Sequence, residues 1–375
     1  MAPRDTLDSL FREFAVTDRR FRNFAWFVLG YSLLVILWGY FLRISESGDG
    51  CGTDWPLCHG AVVPSAAAFP TWVEFIHRVS SGLVLVLVVV MAGWAFRRLA
   101  PGHAVRKAAG ASLLLTVSES LFGALLVVFG LVATDISTAR ILVRPFHVTN
   151  TFLLMAALAL TAWWAHRGVT RTPTLRQPGT RPLVLAGFGL LALAWTGSWT
   201  GLAGTAFPAG SVAEGFGQYL DPQHLLIYLR LSHPVVAVLA TVLFARLALG
   251  RLVAGRQEAG RQEAEVPHSA MSDSAPPGFA PPGFAPPGSS VRRIERALAV
   301  AVAILAGVQL VLGPATILLL HPTGLRLAHL LIADLLWIAL LFLGSEMLSH
   351  PGVSSERSPL RPPDSSQRQP GVARP

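Results

Sequence analysis

The sequence predicts an all-α membrane protein, with eight transmembrane helices arranged as two duplicated four-helix bundles. Three observations carry that prediction: eight apolar stretches of spanning length, a one-sided distribution of positive charge, and a motif set repeated in order in each half. Of 375 residues, 52% are hydrophobic and only 14% charged, and mean hydropathy is +0.53. A soluble globular domain does not have this composition. The stretches lie near 24–42, 73–96, 108–133, 145–165, 183–204, 227–249, 297–319 and 327–348. Each reaches the about 20 residues that a bilayer requires. Lipid offers no partner to a backbone N–H or C=O, so each must be a helix. The first stretch reads as a retained anchor rather than a cleaved leader, because a long charged segment precedes it and no small-residue cleavage site follows.

The formal net charge of +9 could signal a polyanionic partner, but its placement argues otherwise. With the N-terminus inside, only six of the 30 Lys and Arg residues fall on the outer side. That asymmetry orients the chain in a cell (inner) membrane, with both termini cytoplasmic. Membrane lipid then accounts for the basic balance, and no nucleic acid is called for. Four of the six outer cations, Arg78, Arg144, Arg230 and Arg326, adjoin histidines and so are expected to meet negative charge.

Along the chain, residues 1–23 form a cytoplasmic N-terminal segment and 24–166 an N-terminal four-helix half. A connector follows at 167–182, then a C-terminal half at 183–348 and a tail at 349–375 expected to be disordered. Within the second half, 250–293 reads as a polar linker. It carries the tandem APPGFAPPGFAPPG from Ala275 to Gly288, a composition that favours extended, mobile chain. The halves look like copies. Glu119-x-x-x-Gly123 in the third span answers Gln309-x-x-x-Gly313 in the seventh, and a charged-x-x-His motif opens the second and fourth span of each half.

Those motifs are Glu74/His77, Arg144/His147, Arg230/His233 and Arg326/His329. Residues three apart share a helix face, so each histidine is expected to carry a charged neighbour above it. Ionisable groups inside a membrane segment are costly and point to function. Antiparallel neighbouring helices with histidines at one depth can aim two imidazoles into the bundle. Such a pair suits a metal macrocycle such as heme, and its propionates would be the anions that the arginines meet. Zinc is a poorer match, since each half supplies two histidines rather than three or four ligands. His59, His103, His166, His224, His268, His321 and His350 read as structural.

The first half departs from symmetry twice. Glu74 replaces the arginine of the other motifs, either as a proton acceptor or a stabiliser of positive charge near the macrocycle, or as a salt-bridge partner of Arg78 or of a neighbouring helix. The two cysteines, Cys51 and Cys58, sit in GCGTDWPLCHG on the first outer loop, where oxidation persists. They read as a structural staple or as a redox or ligand-handling pair. Glu119, in mid-span, reads as a neutral, hydrogen-bonded carboxylic acid joining helices rather than as a second proton-handling group.

Taken together, the C-x6-C loop in its DWPLCHG context, the E-x-x-H-R motif, the single histidines opening spans four, six and eight, and the LGPATILL run resemble the heme A synthase family over residues 20–348. The resemblance implies oxidation of the C8 methyl of heme O to the formyl of heme A, for terminal oxidase assembly. It implies that His77 and His147 bind the substrate heme, that His233 and His329 are axial ligands of a heme b cofactor, that Glu74 is catalytic, and that Cys51 and Cys58 form a disulfide. Heme O is then the substrate, and a heme O synthase a partner. Three features depart from the family pattern: no second cysteine pair in 205–226, a glutamate at 119 where glutamine is more familiar, and the proline-rich 250–293 insertion. Two other functions fit the same histidines: a two-heme transmembrane electron-transfer cytochrome, and a heme-delivery assembly factor without chemistry of its own.

Overall fold

The computed structural model describes residues 18–65, 68–133, 135–175, 180–264 and 289–349. Its long elements are α1 (Arg19–Ile44), α2 (Phe69–Arg98), α3 (Ala104–Val128), α4 (Thr138–Arg167) and α5 (Thr180–Ala206). Two short helices follow, α6 (Val212–Gly217) and α7 (Leu225–Arg230), then α8 (Ser232–Ala264), α9 (Ser289–Leu318) and α10 (Thr323–Ser349). Eight spans are long and apolar enough to cross a membrane, α7 and α8 together making the sixth. Among the described residues all regular structure is helical, apart from one isolated bridge between Cys58 and Ala61.

Local chemistry sets the helix ends. Asp18 accepts the Arg20 N–H at 3.0 Å to start α1, His103 Nδ1 the Val105 N–H at 3.2 Å to start α3, and the Ser137 hydroxyl the Arg140 N–H at 3.3 Å to start α4. Each satisfies one of the donors that a first turn leaves unpaired. Gly168 ends α4 at φ +69°, a conformation glycine adopts without penalty.

Prolines shape the helices around the histidines. Pro145 lies inside α4, and its missing N–H frees the Ile141 carbonyl four residues back; Trp199 Nε1 of α5 donates to that carbonyl at 3.0 Å. Pro234 acts more severely. Helix stops between α7 and α8 at Leu231, and Thr200 Oγ1 donates to the freed Arg230 carbonyl at 3.3 Å. Arg230 and His233 therefore lie on successive helices, so the expected single-helix register of that motif does not hold. Helix also takes up both ends of the expected 250–293 linker, because α8 runs on to Ala264 and α9 starts at Ser289. The tandem Pro/Gly repeat, the tail and most of the N-terminal segment lie outside the described residues.

In the first half α1 packs on α2, α2 on α3, α3 on α4 and α4 on α1; in the second, α5, α8, α9 and α10 close the same ring. Between the halves α4 meets α10, α4 meets α5, and α10 meets α1. Exchanging α1 with α5 and α4 with α10 leaves this pattern unchanged, so α4 and α10 straddle a pseudo-twofold axis. Burial follows: 72% of the α4 span and 50% of the α10 span are buried, against 11–33% for the other six. At the end of this seam remote from the four histidines, Arg167 donates to both oxygens of Glu346, at 2.9 and 2.8 Å, and Trp163 Nε1 adds a third bond at 3.0 Å. Trp164 Nε1 donates to Ser345, Trp337 Nε1 donates to the Phe152 carbonyl, and Trp163 stacks on Phe342 with centroids 4.2 Å apart.

Candidate functional site

The four motif histidines are all half-buried near the same end of the bundle. In the second half, His233 and His329 face each other across the ring with centroids 6.4 Å apart and planes at 83°. Two imidazoles bound to opposite sides of one metal, each by a bond of about 2 Å, place their centroids roughly 6 Å apart. The pair fits that demand. Thr196 Oγ1 lies 3.2 Å from His233 Nδ1, and Gln309 Nε2 donates to the His329 carbonyl at 2.8 Å.

In the first half His77 and His147 are placed by the equivalent helices, yet their surroundings differ. His147 Nδ1 is 3.6 Å from Glu119 Oε2, and its ring lies 6.3 Å from Phe122. Glu119 in turn accepts from Asn150 Nδ2 at 2.6 Å and Thr151 Oγ1 at 2.5 Å, and Thr151 also donates to the His147 carbonyl at 3.0 Å. The expected tie between helices is thus present, α3 to α4, and it leaves the Glu119 carboxylate beside the His147 ring, too far away at 3.6 Å for a hydrogen bond. Gln309 stands at the corresponding place in the second half.

Two glycines seat the imidazoles. A Cβ at Gly39 of α1 would lie 2.8 Å from His77 Cε1, and one at Gly197 of α5 would lie 3.1 Å from His233 Cε1. The sequence reading missed both, although they sit at matching places on corresponding helices. A flat macrocycle suits this lining: Nδ1 of His77, His147 and His329 is buried without a hydrogen-bond partner, and so are both terminal nitrogens of Arg144.

Glu74 and the cysteines belong to one network. Cys51 and Cys58 form a disulfide with an S–S distance of 2.07 Å. Glu74, 2% exposed, accepts the Cys51 N–H at 2.8 Å and the Arg78 Nε–H at 3.0 Å. Arg78 NH1 donates to the Asp54 and Leu57 carbonyls inside the disulfide ring. Gly50 makes the docking possible, since a Cβ there would fall 2.4 Å from the Pro70 carbonyl at the start of α2. The E-x-x-H-R motif thus clasps the loop on one side of α2 and presents His77 to the site. Arg78, expected to meet a propionate, directs its guanidinium to Glu74 and the loop.

The remaining expected cations divide. Arg230 donates to Gln218 Oε1 at 3.1 Å and to the Ala203 carbonyl at 3.0 Å. Arg326 lines a cleft of about 210 Å³ together with Glu46, Gly204 and His321. Burial, then Arg326 and Arg230, push the His321 imidazole in the α9–α10 turn below its ordinary pKa. Among the other histidines, His59 Nε2 lies 2.9 Å from the Gly50 carbonyl, while His103 and His224 cap helices. Arg43, at the histidine end of α1, had no assigned role; burial and an unpaired Nε now bring it into the site.

Comparison with known proteins supplies the remaining findings. A family model described as "Cytochrome oxidase assembly protein" (COX15-CtaA) matches residues 22–271. A Thermus thermophilus protein named "Protoheme IX farnesyltransferase" is 38% identical over 336 residues, covering 88% of this chain and 48% of that protein. The chain therefore spans about half the length of that relative. A "Heme A synthase" from Halalkalibacterium halodurans is 29% identical over 213 residues, 56% of this chain and 69% of that protein. Another, from Alkalihalophilus pseudofirmus, is 39% identical over 98 residues, 26% and 33% respectively.

Proposed function

This chain belongs to the COX15-CtaA family of cytochrome oxidase assembly proteins, and from that membership we propose that it is a heme A synthase, oxidising the C8 methyl of heme O to the formyl group of heme A. The observation that carries the reading is the pair of unequal histidine sites. His233 and His329 face each other at the 6.4 Å that a bis-imidazole metal centre requires, whereas the first pair is bordered by a carboxylate network and a disulfide loop. The named heme A synthases among its relatives support the same reaction.

Turning a methyl into a formyl group adds one oxygen; with water as its source, R–CH3 + H2O gives R–CHO + 4 H+ + 4 e−, so the site needs water, an electron exit to an external acceptor and a proton acceptor. A heme b between His233 and His329 would supply the electron exit. His77 and His147 hold the substrate heme, with Thr151 bonded to the His147 carbonyl, Glu119 beside the His147 ring and Gly39 against that of His77. Glu74, one helical turn before His77, accepts a proton; Arg78 and the Cys51 N–H keep its carboxylate in place meanwhile. The disulfide keeps that N–H where Glu74 can use it.

The protein lies in the cell membrane with both termini cytoplasmic, which the basic residues at the end remote from the histidines support. A heme O synthase is its partner. The Thermus relative, which bears a farnesyltransferase name and is about twice as long as the match, supports that part of the proposal. Expression in cells that accumulate heme O tests the reaction through the pigments extracted. Heme A is expected. Unaltered heme O would leave a delivery factor or an electron-transfer cytochrome. Glu74→Gln is expected to retain both hemes and lose most of the heme A.

A further inference from the structure

Where the seam reaches the histidine end, two arginines from the first half converge on a bare stretch of the second. Arg43 lies near the end of α1, and Arg144 lies on α4 one turn before His147. A Cβ at Gly201 of α5 would lie 3.3 Å from Arg43 NH2 and 3.5 Å from Arg144 NH2. Both guanidiniums thus lie over one glycine. Arg144 is only 5% exposed, yet neither NH1 nor NH2 has a hydrogen-bond partner, and the Nε of Arg43 is buried and unpaired as well. Among the described residues neither arginine takes part in an ion pair. Arg43 is half-buried with its guanidinium 5.6 Å from the Tyr40 ring centroid, but a buried Arg144 with both terminal nitrogens unpaired and a second cation beside it is too costly to serve packing alone.

The second half has no such doublet. In the register that pairs Gly39 with Gly197, Arg43 corresponds to Gly201, and Arg144 corresponds to Arg326. The first half therefore sets two arginines where the second sets one arginine and a glycine, and the missing side chain at 201 gives the doublet its space.

We propose that Arg43 and Arg144 form a carboxylate seat belonging to the first half, which takes a propionate of the macrocycle held by His77 and His147. The inference rests on the heme reading above and deepens it: the seat selects for a free propionate at the substrate site and fixes the rotation of the ring about its axial ligands. A carboxylate matches the planar forks of two guanidiniums. The seat's place, one turn before a candidate ligand and with Arg144 only 5% exposed, favours a substituent of the bound ring over a lipid phosphate.

The purified full chain, its second site filled, is titrated in phospholipid-free detergent with iron protoporphyrin and with its dimethyl ester, followed by the imidazole-ligated absorption band. The free acid is expected to bind at least about tenfold more tightly, the value of one charge-assisted hydrogen bond or more. Arg43→Gln and Gly201→Val are each expected to shrink that preference to about threefold or less while leaving ester affinity unchanged. Equal binding of acid and ester by the unaltered chain would overturn the seat alone, as would a preference that survives in both variants. Failure of either porphyrin to bind at the first site would overturn the heme reading, and the seat with it.

Discussion

Gly39→Ala is a one-methyl change whose effect follows from a single distance. Alanine is the better helix former by about 0.5–1 kcal/mol, so on propensity alone α1 gains. The new Cβ, however, would stand 2.8 Å from His77 Cε1 and 3.3 Å from Nε2. Carbon atoms rest at about 3.5–4.0 Å, so the imidazole must retreat by roughly 0.7 Å. A metal–histidine bond tolerates deviations of only about 0.2 Å. The first site is therefore expected to lose about 10–100-fold in heme affinity, the usual toll of disturbing the support of a ligand. Gly197→Ala, with 3.1 Å to His233 Cε1, asks for a smaller retreat and should give a milder loss at the second site. Gly82→Ala on α2, where a Cβ meets open space, is the control. Low-spin absorption per chain measures each site, and thermal unfolding in detergent measures the fold. A Gly39→Ala protein with full first-site absorption would refute the argument, as would equal damage from Gly82→Ala.

Three further outcomes follow from the structure. Arg167→Ala strands the buried Glu346 carboxylate and should cost about 3–5 kcal/mol, whereas Arg167→Met with Glu346→Leu should recover most of it; thermal unfolding in detergent ranks the two. Loss of the Cys51–Cys58 bond, which closes a loop of separation 7, should cost about 2–3 kcal/mol and release the Cys51 N–H from Glu74; melting with and without reductant reads the difference. Burial lowers the pKa of His103, whose neutral Nδ1 caps α3, so the unfolded chain takes up the proton first. That cap's contribution is full above about pH 6.5 and fades as pH falls below it. His103→Asn, which caps without titrating, should flatten the melting-temperature profile between about pH 7 and 5.

The eight spans were legible because lipid leaves the backbone no alternative to helix, and their pairing was legible because the motif order repeats. Pro234 already stated the break at Leu231, by removing one donor and crowding Arg230, but a spacing of three still reads as one helix until the proline is weighed. Gly39 and Gly197 stayed hidden because a glycine inside a span has many uses, and only the neighbouring helix reveals that an imidazole lies against it. Arg78 shows the same limit from the other side. Its bond to Glu74 four residues back was open to the spacing, but its other partners are loop carbonyls, and no pattern of residue types fixes where the backbone of a loop will run. Arg43 passed for an ordinary helix-end cation, since its company comes from helices about 100 and 160 residues further along the chain.

The lock of Arg167, Trp163 and Glu346 ties the first half to the last helix of the second with no help from the segment that joins them. Covalent continuity between α4 and α5 is then dispensable for cohesion. A gene cut in the connector after Gly168 should yield two polypeptides that copurify as one unit, and the same cut carrying Arg167→Ala should let them part. Recovery of the second fragment with a tag on the first would read this directly. The duplication would then persist as an affinity between separable pieces, able to assemble after synthesis as well as during it.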